Sequence, residues 1–133
     1  MQIKNRMGSN TYLVVECDPT VMATIRHALE SDGHMILAAF SAEEALTVFQ
    51  RSAADIACVI TRLTFTGMSG LELLDRISAL KPGVCHLLTS HYEIDLLRLI
   101  PGFQKYRANF LRQPFSREAL LARIRHQLDG NSS

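Results

Sequence analysis

Short apolar runs alternate with amphipathic stretches along nearly the whole chain. The first run is Tyr12-Leu13-Val14-Val15, closed by Glu16-Cys17-Asp18 and Pro19. Four or five apolar residues bounded by polar or turn residues read as a buried strand. A helix follows to about Ser31, with Val21, Ile25, Ala28 and Leu29 on one face. Asp18 suits its N-cap and Pro19 its first position. After Asp32-Gly33, Met35 to Ala39 is a second short strand. Ser41 and Glu44 form a capping box ahead of a helix whose inner face is Ala45, Leu46 and Phe49. Ser52 to Asp55 reads as a turn. The run Cys58-Val59-Ile60 enters Thr61 and Arg62, and the small-residue loop Thr66-Gly67-Met68-Ser69-Gly70 leads into a helix with Leu71, Leu74 and Ile77. Lys81-Pro82-Gly83 stops it near Leu80. Val84 to Leu88 is a fourth strand, ending at Thr89-Ser90. A fourth helix, from about Tyr92 to Ile100, is cut short by Pro101-Gly102. Phe103 to Ala108 is a basic, aromatic connection. Phe110-Leu111-Arg112 is a last short strand, followed by Gln113-Pro114-Phe115 and a helix capped by Ser116 with Leu120, Leu121, Ile124 and Leu128 inside.

Five strands alternating with five helices predict an α/β fold, a doubly wound parallel sheet covered on both faces. The expected divisions are a polar arm over residues 1–10, one domain over residues 11–128, and a fraying tail over residues 129–133. A chain of 133 residues with 47% hydrophobic and 20% charged residues fits one folded domain with a proper core. The net charge of +1 gives no general attraction to nucleic acid or membrane. From Ser90 onward, however, seven Lys/Arg stand against four acids. That excess is either ordinary solvated surface or a docking face for an acidic partner. The three cysteines, Cys17, Cys58 and Cys85, lack metal-motif or disulfide-scaffold spacing, and the last two sit inside apolar strand patterns. The first ten residues contain no apolar signal core, and no run nears the roughly 20 residues of a membrane span. A reducing, cytoplasmic setting is the expectation.

In such a sheet, chemistry gathers past the carboxyl ends of the strands. The residues delivered there are Glu16, Cys17 and Asp18, then Arg62, then Thr89 and Ser90, then Gln113. They include no cluster of two or three spare carboxylates for a hard cation, because Asp18 is accounted for as a cap. No Gly-rich phosphate loop follows the first strand, and no base–nucleophile pair is evident, so an enzyme is not expected.

The segments VVECDP, GMSGLELL, LLTSH and FLRQPF fall in order after strands one, three, four and at strand five. On them the chain resembles the receiver domain of two-component response regulators, from about Thr11 to Leu128. The resemblance implies a flavodoxin-like (βα)5 sheet of order 2-1-3-4-5. It also implies a phosphorylation switch in a phosphorelay: an aspartate ending strand three, an acid pair holding Mg2+, a Thr or Ser and a Lys clasping the phosphoryl group, and an aromatic in strand five. Carried over residue by residue, the phosphoacceptor position is Arg62, eight before Gly70. The acid pair is Glu16 and Cys17, the lysine position is Gln113, and the loop proline position is Thr66. Thr89 and Phe110 match the switch threonine and aromatic. The stretch from Thr89 to Gln113 looks about two residues longer than is usual in such domains, by that resemblance. A guanidinium stays protonated and is no nucleophile. The expectation is a pseudo-receiver, without the usual phosphorylation, with Mg2+ binding lost or weak and no other cofactor.

Arg62 then either pairs with Glu16 or points to solvent. Cys17 beside that cation is a candidate reactive thiol, and His91 with Cys17 and Glu16 a candidate soft-metal set, against the plainer readings of an inert thiol and a loop residue. The leading functional reading is an adaptor that binds a signalling protein, such as a histidine kinase or response regulator, or a second copy of itself. Its face is helix four, strand five and helix five, with Arg98, Phe103, Lys105, Tyr106, Arg107, Arg112, Arg117 and Arg123 as candidates. Phe103 and Tyr106 are equally readable as packing residues. The second reading is the receiver part of a larger regulator or hybrid kinase. Direct contact with nucleic acid is not expected.

Overall fold

The computed structural model describes residues 10–132. Five parallel strands form one sheet: β1 (Thr11–Val15), β2 (Met35–Ala39), β3 (Ile56–Arg62), β4 (Cys85–Ser90) and β5 (Phe110–Arg112), in the order β2-β1-β3-β4-β5. The helices are α1 (Pro19–Ser31), α2 (Ala42–Ser52), α3 (Gly70–Leu80), α4 (Ile94–Leu97) and α5 (Arg117–Ser132). Short 310 segments lie at Ala53–Asp55 and Phe103–Asn109. The flavodoxin-like order anticipated from the motifs is therefore present. The anticipated arm at residues 1–10 falls almost wholly outside the described residues.

Alternation along each strand divides the core into two layers, because successive side chains leave opposite faces. Tyr12, Val14, Cys58, Ile60 and Leu87 meet Met22, Ile25, Leu29, Leu120 and Ile124 on the side of α1 and α5. Leu13, Val15, Val59 and Leu88 meet Phe49, Leu73, Leu74, Ile77 and Phe103 on the other side. Burying a large apolar side chain is worth about 1.5–3 kcal/mol, so these layers set the register that brings the strand ends together.

Helix starts follow the local chemistry. The Asp18 carboxylate accepts from Thr20 N–H at 2.9 Å, with Pro19 opening α1. Ser41 Oγ accepts from Glu44 N–H, and Glu44 reaches back to Phe40 N–H rather than to the cap residue's own N–H. Ser69 caps α3 by accepting from Glu72 N–H, a role the sequence reading did not assign.

The largest departure lies between β4 and β5. The fourth helix is a single turn, Ile94–Leu97, not the stretch from Tyr92 to Ile100. Gly102 takes φ +87°, a left-handed turn that an L side chain resists, and residues 103–109 then coil as a 310 segment rather than a plain connection. At the other end of the chain, helical backbone runs past Leu128 to Ser132.

Candidate functional site

The carboxyl ends of β1, β3 and β4 and the residue after β5 converge as the topology requires. β3 is in register with β4 so that Arg62 stands beside Thr89. Leu63 N–H donates to Thr89 O at 2.9 Å, and Gln113 N–H to Ser90 O at 2.7 Å, fixing the next two loops. The Gln113–Pro114 peptide is cis. Gly70 is what lets the loop after β3 close: a Cβ there would lie 2.0 Å from the Arg62 carbonyl oxygen. Its N–H donates to Leu63 O at 2.8 Å. The same loop is tied to α2, since Met68 N–H donates to Glu43 Oε2 at 2.9 Å, which holds the Glu43 carboxyl below its ordinary range.

At the centre, Arg62 Nη1 donates to Glu16 Oε2 at 2.9 Å. The same oxygen accepts from Asp18 N–H at 2.9 Å. The Glu16 side chain is 1% exposed and that of Arg62 24%. A buried carboxylate is costly alone, and the guanidinium from the neighbouring strand compensates it. Burial works against the Arg62 charge, but the Glu16 hydrogen bond and charge outweigh it, and the guanidinium is held more basic than usual. Around the pair are further buried polar atoms. Glu16 Oε1, Thr89 Oγ1 and both amide atoms of Gln113 have no hydrogen-bond partner among the described residues. A cavity of about 80 Å3 opens beside the guanidinium, lined by Arg62, Thr64, Ser90, His91 and Tyr92.

This donor set does not fit Mg2+. Glu16 already spends one oxygen on Arg62 and Asp18 N–H, its neighbour Cys17 is an exposed thiol, and a divalent cation would face a fixed guanidinium. Among the described residues no group of three or more His, Cys, Asp and Glu is placed to hold a metal, so His91, Cys17 and Glu16 are not brought together as one.

Phe110 is turned inward, packed edge-on against Phe103 with ring centroids 5.7 Å apart. That contact corrects the reading of Phe103 as a surface anchor: it is fully buried. Tyr106 is buried too, with its hydroxyl donating to Asp75 Oδ1. Both take the packing role because the 310 segment folds its aromatics inward beside β4. Burial and Asp75 push the Tyr106 hydroxyl up to about 12. Asp75, on α3, also pairs with Lys105 at 3.1 Å; sequence carries no signal of so distant a contact. Of the candidate cations, Arg98, Lys105 and Arg107 are exposed between β4 and β5, and Arg112, exposed at the end of β5, pairs with Glu93 at 3.0 Å. Arg123 donates to Ala108 O. Arg117 turns away, donating to Ser31 Oγ at the end of α1. The apolar members of this surface, Tyr92, Leu96 and Leu99, were not assigned to it in the sequence reading; Leu99 is 78% exposed because α4 ends before it.

Comparisons with known proteins agree with this fold. A family model described as the response regulator receiver domain matches residues 12–125. The sensor kinase CckA of Brucella abortus is 28% identical over 123 residues, which is 92% of this chain and 13% of that protein. The response regulator protein FleR of Pseudomonas aeruginosa is 34% identical over 118 residues, 87% of this chain and 24% of that protein. The chain thus spans a small part of the length of these curated relatives. A receiver domain protein structure from Clostridium thermocellum superposes with a TM-score of 0.79 at 24% identity, covering 92% of this chain and 97% of that one, a likeness of fold.

Proposed function

The chain belongs to the response regulator receiver domain family, and on that premise we propose that it signals by phosphorylation-independent protein–protein interaction. Receiver domains of this family are non-catalytic signalling modules, so the function to assign is a binding one. The observation that carries the reading is the Arg62–Glu16 pair at 2.9 Å. It puts a non-nucleophilic cation where the family resemblance places the phosphoacceptor, and it occupies the acid that resemblance assigns to the metal. The pocket is then held in one charge-compensated state rather than switched. Output falls to the surface formed by residues 92–112 and α5, on which Arg98, Lys105, Arg107 and Arg112 are exposed together with Leu96 and Leu99. Basic and apolar residues together suit an amphipathic acidic surface on a signalling protein, such as a histidine kinase or another response regulator. A second copy of the chain is the other candidate occupant, and the setting is cytoplasmic.

The test is binding of the purified chain to the kinases and regulators of its own organism, with and without acetyl phosphate and Mg2+. The expected result is one partner with a Kd that is unchanged by phosphodonor and weakened at least tenfold by Arg107→Glu with Arg112→Glu. A phosphodonor-dependent Kd overturns the reading.

A second reading rests on the small share of the relatives' length that is covered: the same unswitched module acts inside a longer regulator or hybrid kinase. Sequencing the complete transcript decides between them.

A further inference from the structure

The lower half of β4 has no strand beside it on the β5 side. Pairing with β5 starts only at Leu88 and Phe110. At the level of His86 three side chains take its place. Asn109 Nδ2 lies 2.8 Å from His86 Nε2, and Gln127 Nε2 from α5 donates to Asn109 Oδ1. His86 Nδ1 lies 3.2 Å from Val84 O. The Tyr106 ring stands edge-on to the imidazole at 5.1 Å. Asn109, the last residue of the 310 segment, is thus fastened to β4 through His86 and to α5 through Gln127.

With both amides oriented as they stand, the polarity of this hydrogen-bond chain follows. The Val84 carbonyl can only accept, so Nδ1 carries hydrogen. The Asn109 oxygen is taken by Gln127, so only its NH2 faces the ring, and Nε2 must accept. In that orientation the neutral Nδ1–H tautomer completes the chain. A proton on Nε2 sets two donors against each other, and relief requires both amides to turn over. No carboxylate among the described residues bonds the ring to welcome the extra charge. From α3, Asp75 reaches the hydroxyl of Tyr106 and is paired with Lys105. From α5, Gln127 is uncharged, and Arg123, a cation, is bonded to Ala108 O. Cys85 faces the other layer.

We propose that His86 is a proton-operated latch that holds residues 103–109 on β4 and α5 while neutral and releases them when protonated. Burial already depresses the affinity of His86 for a proton, with the Val84 carbonyl opposing in part. A folded-state value lowered below the ordinary one, near 6.5, gives a definite sign. The docked segment is fully stabilised above the ordinary value, and that stabilisation is lost as pH falls through the docked value. The proposal holds whether or not this surface binds a partner.

Amide hydrogen exchange of the wild-type chain between pH 7.5 and 5, corrected for intrinsic rates, tests it. Protection of residues 103–109 is expected to fall below pH 6.5 by up to about tenfold per pH unit, the limit for one linked proton. Amides of β1 and β3 are expected to stay protected. His86→Gln keeps an acceptor for Asn109 but cannot titrate, and its profile is expected to be flat. A flat wild-type profile, equal slopes in wild type and H86Q, or simultaneous loss across the sheet overturns the latch. Nitrogen-15 shifts of the wild-type imidazole are an independent check, since an Nε2–H tautomer at neutral pH contradicts the geometry without any variant.

Discussion

Removing the guanidinium from the centre of the site should expose how strongly Arg62 and Glu16 depend on each other. At 2.9 Å two unit charges attract by about 6 kcal/mol at an effective dielectric of about 20. Desolvation offsets much of this, since Glu16 is almost wholly out of water while a quarter of Arg62 still touches it. Loss of one partner of a fully buried pair costs about 3–5 kcal/mol; the exposure of Arg62 lowers the expectation to about 2–3 kcal/mol for Arg62→Ala. The remainder is the penalty of leaving Glu16 with the single backbone donor Asp18 N–H. Glu16→Gln in that background removes the stranded charge and should return part of the loss. The double-mutant cycle should therefore show a coupling of about 2 kcal/mol. Urea unfolding followed by circular dichroism reads it: with a slope of about 2 kcal/mol per molar, Arg62→Ala lowers the midpoint by about 1 M. Additivity of the two substitutions within about 0.5 kcal/mol would refute the account of a mutually dependent pair.

Gly70→Ala drives a methyl into the Arg62 carbonyl and should cost about 2–4 kcal/mol, read as a lower thermal midpoint; an unchanged midpoint would mean the loop yields freely. Arg62→Asp alone should label poorly with acetyl phosphate, because Cys17 and Gln113 still lack the acid and the lysine. Adding Cys17→Asp and Gln113→Lys should raise labelling by tenfold or more, and robust labelling of the single variant would show those positions to be secondary. Burial raises the Asp75 carboxyl, but the Tyr106 hydroxyl and Lys105 more than reverse this, leaving it below its ordinary value. The stability it lends is complete above the ordinary carboxylate value of about 3.9 and lost as pH falls through the folded value, so Asp75→Asn should flatten that acid limb in a pH series of urea midpoints.

The sheet was readable in advance because each strand is a run such as Tyr12 to Val15 whose neighbours in sequence are amphipathic, and burial on both faces leaves few other arrangements. Arg62 was placed by its distance from Gly70, and its pairing with Glu16 was one of two readings left open, since sequence does not say which way a long side chain turns. The segment from Tyr92 to Asn109 was read less well. Pro101-Gly102 announced a break, yet nothing local says that the chain after a break coils back to bury Phe103 and Tyr106. That outcome depends on the hole beside β4 and on Asp75, 31 residues before Tyr106 and on another helix. Glu43 holding Met68 N–H and Gln127 completing the His86 chain are likewise contacts between distant residues, and neither leaves a periodicity to detect.

The positive charge facing Glu16 is carried by the adjacent strand, and so it is a possession of the polypeptide rather than something drawn from solution. Its local concentration is set by the spacing of β1 and β3 and does not vary with ionic supply, dilution or competition from nucleotides and chelators. On the proposed reading, the charge compensation of Glu16 is inherited at folding and lasts as long as the fold does.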